Sequence, residues 1–163
     1  CMIRVVLESL AAQEAAKNIT AAELDEVARF ADLVEQAADA QDPAATAMYN
    51  RHFHWAVNAA SHRPLLIRII ESLWLRVGPQ VSYSVQHDVL GGDIVRSAFH
   101  PHRLVLAALR ARDSTSAATA IAYDISRAGN IISAHLRAME DAASSTSAPE
   151  PKGGENARHR RKT

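Results

Sequence analysis

Residues 20–60 read TAAELDEVARFADLVEQAADAQDPAATAMYNRHFHWAVNAA, and this stretch decides the fold class. Glu23 follows Thr20 by three residues, the spacing at which a hydroxyl and a carboxylate satisfy two orphan amide donors of a helix start reciprocally. Behind that pair, Leu24, Val27, Ala28, Ala31 and Val34 recur at three- and four-residue intervals. They form the apolar stripe of a helix that ends near Ala40. Asp42-Pro43 then signals a second start: an acid as cap and a proline at the first helical position, where a missing N–H costs nothing. A helix over about 43–60 follows.

The same periodicity extends in both directions. Residues 2–17 place Ile3, Val6, Leu7, Leu10 and Ala11 on one face, with Asn18 as the stop. His62, Arg63 and Pro64 break and restart the chain, after which Leu65, Leu66, Ile69, Ile70, Leu73 and Trp74 form a broad apolar face, expected to be fully packed. Gly78-Pro79 is expected to kink or end this helix. Beyond it Val81, Tyr83 and Val85 alternate with serines as a strand would, but a lone strand leaves its backbone unpaired, so a continuing or irregular helix is preferred. Gly91-Gly92 marks a loop. A fifth helix spans about 94–112, interrupted by Pro101, and Asp113 or Ser114 caps the last, about 115–142.

Composition agrees with this reading. The 163 residues suit one domain; 32 are alanine, only 5% are aromatic, and Gly and Pro number 6 each, too few turn formers for a sandwich or barrel. The expectation is an all-α antiparallel bundle of six or more helices over residues 1–143, joined by short loops. Residues 144–163 are Ser, Pro, Gly and charge, and are expected to be a disordered basic tail. That tail holds five basic and two acidic side chains, so the overall balance of 18 against 18 conceals a mildly acidic body. Such a body lacks the basic surplus that phosphate binding needs. A single cysteine, Cys1, forms no internal disulfide, and no run approaches 18 apolar residues. These features point to a soluble, cytoplasmic protein that does not enter membranes.

The eight histidines are where chemistry is to be sought. Asn50 and His54 stand one helical turn apart on the third helix, His102 lies on the fifth and Asp124 on the sixth. Polar side chains converging from three helices build cofactor or metal sites in bundle cores, and imidazole with amide and carboxylate oxygen suits a divalent ion such as Zn, Mn, Ni or Fe(II). Taken singly, each residue reads as a surface or hydrogen-bonded helix residue before it reads as a ligand. His52, His62, His87, His100, His135 and His159 have no partner pattern and are expected to face solvent. No CxxC, HExxH, P-loop or Gly-x-Ser-x-Gly pattern occurs.

Asn50-Arg51-His52-Phe53-His54, followed by Ala59-Ala60-Ser61 and Leu65-Leu66, closely resembles the signature of the FCD domain, the effector-binding half of FadR-type GntR transcription regulators. Arg4-x-x-Leu7-Glu8 with Ala15-Ala16 is similar to that domain's opening helix, and His102 through Asp113 with Ala117-Ala118 is similar to its Glu-His helix. The resemblance spans residues 3 to about 140. It implies a divalent metal held by Asn50, His54 and His102, with Asp124 at a fourth position that is usually His. Pro101 replaces the customary Glu before His102. Carboxylate in place of imidazole implies a site weaker for zinc and more tolerant of Mn or Mg. The resemblance also implies a small carboxylate effector beside the metal, with Arg4 facing the cavity as a guanidinium partner. Trp74, Arg76 and Tyr83 are further ligand-binding candidates by chemistry and helix position, while Arg51 points about a hundred degrees away from Asn50. GntR regulators carry a winged helix-turn-helix before this domain; the resemblance places it ahead of residue 1, so DNA would be bound only through that absent part, by a homodimer. The reading is therefore a sensor and not an enzyme. A metal-dependent enzyme on a helical bundle and a ligand-free helical interaction module are the alternatives.

Overall fold

The computed structural model describes residues 2–86 and 93–146, which form six helices: α1 (Met2–Asn18), α2 (Ala21–Asp39), α3 (Pro43–Ala59), α4 (Pro64–Gln86), α5 (Asp93–Arg110) and α6 (Ser114–Thr146). Each start read from sequence is built as the chemistry requires. The Thr20 hydroxyl accepts from the Glu23 amide, while the Thr20 amide donates to Glu23 Oε2 at 2.8 Å. Asp42 Oδ1 accepts from the Ala45 amide with Pro43 at the first turn, and Asp113 Oδ1 accepts from the amides of Thr115 and Ser116.

Glu23 does more than cap. Its other oxygen lies 2.8 Å from His62 Nε2, tying the start of α2 to the α3–α4 turn, so His62 is paired rather than merely solvated. The Thr20 amide first, and His62 second, hold the Glu23 carboxyl down at about 2 from an ordinary 4.5. A depressed carboxylate adds stability that is complete above its unfolded value and disappears as pH falls through the folded one. Urea unfolding of the wild-type chain and Glu23→Gln should therefore differ by a constant amount above about pH 5.5 and converge as pH approaches 2. A difference independent of pH would show that the carboxylate charge contributes nothing.

Two turns share one device. In Ala40-Gln41-Asp42 and Ala111-Arg112-Asp113 the middle residue adopts positive φ, 54° and 55°, and the helix closes through paired bonds: Gln41 N to Ala38 O with Asp42 N to Ala37 O, and Arg112 N to Leu109 O with Asp113 N to Ala108 O. These are Schellman closures made without glycine. The aspartate that ends one helix caps the next, so a single residue sets each interhelical corner.

Helix α1 packs most extensively on α6, α2 on α3, and α5 on α6, with α4 laid against α3 and α1. The main core runs through Ala12, Ala15, Ile19, Val27, Phe53, Val57, Val105, Leu106, Leu109 and Ile121. The buried face of α1 differs from the expected stripe. Ile3, Val6 and Leu10 are exposed; Ala11 of that stripe is buried, but with Glu8, Ala12, Ala15 and Ala16 as its buried companions. Small alanine side chains allow close approach between packed helices, and this is the face α1 turns to the core.

The expectation of a fully packed α4 also fails. Ile70 and Trp74 are buried against Leu7 and Ala11, but Leu65 is 69% exposed and Leu75 76%. Gly78-Pro79 does not end the helix, which continues to Gln86, in keeping with the preference for helix over strand beyond it. Pro101 likewise sits inside α5 and is buried rather than interrupting it. α6 extends to Thr146, so the first three residues assigned to the tail are helical. The rest of that tail, His87 and the Gly91-Gly92 loop lie outside the described residues. Among the described residues no helix is long and apolar enough to cross a membrane.

Candidate metal centre

Three helices each place one candidate ligand among buried apolar residues. His54 shares the inner face of α3 with Phe53 and Val57, His102 precedes Val105, Leu106 and Leu109 on α5, and Asp124 follows Ala117, Ala120 and Ile121 on α6. All three are buried, and one ligand atom from each falls within 4.8 Å of the others. His54 Nε2 stands 3.0 Å from Asp124 Oδ2, and His102 Nε2 stands 3.7 Å from the same oxygen. Donors bound at about 2.1 Å to one ion lie roughly 3–3.5 Å apart, so little adjustment would close the set around a cation.

The second nitrogen of His54 faces Glu8, whose Oε2 lies 3.2 Å from Nδ1, near enough to attract but off the line of a well-formed hydrogen bond. Glu8 is fully buried. Arg4 Nε donates to its Oε1 at 2.7 Å, and Asn58 Nδ2 donates to Oε2 at 3.4 Å. The Arg4 guanidinium lies 4.2 Å over the Trp74 ring, and that indole in turn packs 5.8 Å from the His54 ring. A continuous polar chain thus runs from Arg4 through Glu8 and His54 to Asp124.

Burial pushes His54 toward neutrality, but Asp124 and then Glu8 reverse this and raise it to about 9. For Glu8 and Asp124 burial also favours the neutral acid; His54 and Arg4 for the first, His102 and His54 for the second, hold both carboxyls below the ordinary range. His102 is different: burial dominates and lowers it to about 4. Its ring stacks 4.1 Å from Phe53, and neither ring nitrogen has a hydrogen-bond partner. A neutral, buried imidazole with an orphaned lone pair is costly for a fold and suited to a metal.

Of the residues singled out from sequence, the structure brings together His54, His102 and Asp124 as one group, with Arg4 and Trp74 beside it. Asn50 lies one turn before His54 and is half-buried. Arg76 is exposed on α4 and takes part in none of these contacts. Tyr83 lies in α4, but its side chain is outside the described residues. Sequence reasoning assigned no role to Glu8 or Asn58. The available signal was an acid in register with Ala11, Ala12 and Ala15, a position where an unpaired carboxylate would not be tolerated.

The chain belongs to the FCD domain family, whose match covers residues 1–127. It is 32% identical to the HTH-type transcriptional regulator McbR of Escherichia coli (strain K12) over 111 residues, which are 68% of this chain and 49% of McbR; the chain thus spans about half the length of that curated relative. The solved structure of E. coli McbR/YncC matches with a TM-score of 0.75 at 28% identity, over 82% of this chain and 66% of that one. The all-helical expectation and the FCD resemblance are both upheld. This relative is a regulator rather than an enzyme, as expected.

Proposed function

We propose that this chain is the effector-sensing part of a GntR-type transcription regulator, in which His54, His102 and Asp124 hold a divalent cation and the Asn50 side-chain oxygen adds a fourth ligand. The observation that carries the reading is His102, whose two ring nitrogens are buried without partners beside a histidine and a carboxylate. The mixed nitrogen and oxygen donors suit Zn, Mn, Ni or Fe(II). Bound there, the cation supplies Lewis acidity and a fixed positive charge.

The charge of the surroundings supports an anionic effector. Arg4 and protonated His54 balance Glu8 and Asp124 when no cation is present. A dication, with His54 neutral so that it can ligate, leaves the group with a surplus of one positive charge. A small organic carboxylate offsets that surplus, and Arg4 with Trp74 forms the wall it would meet. Its binding favours one arrangement of the helices and, in the intact regulator, alters the geometry in which DNA-binding domains are presented. Leu7 of α1 and Leu66 of α4 both pack on Ala11, Ile70 and Trp74, and the exposed Ile3, Val6 and Leu10 of α1 with Leu65 and Ile69 of α4 supply the apolar surface where a homodimer would form. The protein would act in the cytoplasm.

Thermal unfolding with acetate, malonate and succinate, each with and without added Mn, tests this reading. The carboxylates should raise the melting temperature only in the presence of the metal. Equal shifts in chelator-treated protein would overturn the metal-assisted pocket.

A further inference from the structure

A cleft of about 750 Å³ opens on the outer side of α3 and α4, and its walls include Arg51, Trp55, Arg68, Glu71 and Trp74. Its volume falls in the range of small-molecule sites, roughly 300–1,000 Å³. None of the three metal-cluster residues lines it. Both tryptophans of the chain contribute to it, and Trp55 keeps 38% of its surface in contact with solvent. An indole left partly open in a concavity is a platform on which a flat apolar group can stack.

The charged walls are equally unspent. Arg4, Arg29, Arg63 and Arg103 are all paired with carboxylates, but Arg51, Arg68 and Glu71 make no ion pair or side-chain hydrogen bond among the described residues. Arg68 and Glu71 stand three residues apart on one helix, where opposite charges commonly meet, yet they remain separate. The cleft therefore offers two guanidiniums for an acid, one carboxylate for an amine and two indoles for a flat apolar body.

We infer that this cleft binds an aromatic zwitterion of the α-amino-acid class, its carboxylate on Arg51 and Arg68, its ammonium on Glu71, and its ring against Trp55 and the outer edge of Trp74. An aromatic acid lacking the amine leaves Glu71 unpaired, and an amine lacking the acid leaves both guanidiniums unpaired. Selection for the zwitterion follows from these costs.

The test is titration of the full chain with L-phenylalanine, followed by tryptophan emission and by calorimetry on the same samples. Saturable binding is expected, weaker by roughly tenfold or more for phenylacetate, phenethylamine and L-alanine, and for L-phenylalanine binding to an Arg51→Ala/Arg68→Ala variant. Both arginines are exposed, so that variant should fold normally. Affinity should be unchanged in chelator-treated protein. Absence of saturable binding by either method overturns the inference. So does binding that survives the double substitution but is lost on chelation, which would place the ligand at the metal cluster instead.

Discussion

Replacing Glu8 by alanine should destabilise the fold by about 3 kcal/mol, the scale set by removing one partner of a buried ion pair. The carboxylate is fully buried and receives Arg4, Asn58 and the charge of His54 at once. Its removal leaves Asn58 without an acceptor and forces His54 to lose a proton or remain charged with one partner. Glu8→Gln keeps the volume and one acceptor oxygen, so about half that loss is expected. Urea unfolding measures both. A loss below about 1 kcal/mol for the alanine variant would mean that the buried carboxylate is not a structural centre. The same substitutions should weaken metal binding by about 10–100-fold, because a carboxylate behind a ligating imidazole fixes its orientation and raises its basicity. Isothermal titration with Zn or Mn separates this effect from the change in stability.

His102→Phe should behave in the opposite way. In metal-free protein the wild-type residue buries two ring nitrogens without partners, against Phe53. Phenylalanine keeps the stacking and removes the polar cost, so the metal-free variant should be as stable as wild type or more stable by about 1 kcal/mol. Saturating Zn or Mn should stabilise the wild type by about 2.7 kcal/mol at a hundredfold excess over Kd, and the variant hardly at all. Wild-type protein indifferent to both metals, or a variant that keeps the full response, would sink the metal-centre reading. A variant less stable without metal would show that His102 is held by structure rather than reserved for a ligand.

The features legible in the sequence are those that local chemistry decides. Thr20 with Glu23, Asp42 with Pro43, and Asp113 satisfy orphan amides within three residues of themselves, so spacing alone locates them. His54, His102 and Asp124 were legible from the one-turn spacing of Asn50 and His54, from their placement on three helices and from the family resemblance, since each alone also reads as a surface or hydrogen-bonded helix residue. The buried face of α1 was not. Its aliphatic stripe has the higher hydrophobicity, and only the fit of an alanine surface against α6 reverses the choice, which is a property of the pair of helices. Glu8 was missed for the same reason, since its partners lie up to 50 residues away. Pro79 and Pro101 mislead because proline removes a single helical bond, a loss that a long helix can carry through.

The His54 ring is gripped from both sides, by Glu8 of the first helix and Asp124 of the last. The grip joins the two extremes of the described fold across a middle helix and cannot form until α6 has docked. Bringing such distant segments together costs more chain entropy than closing a local hairpin such as α2–α3. Whatever strengthens the grip, including a cation drawn in beside it, should slow unfolding and leave the folding rate unchanged to the extent that the grip is absent from the transition state. In that case the cluster is a clasp on the lifetime of the folded state.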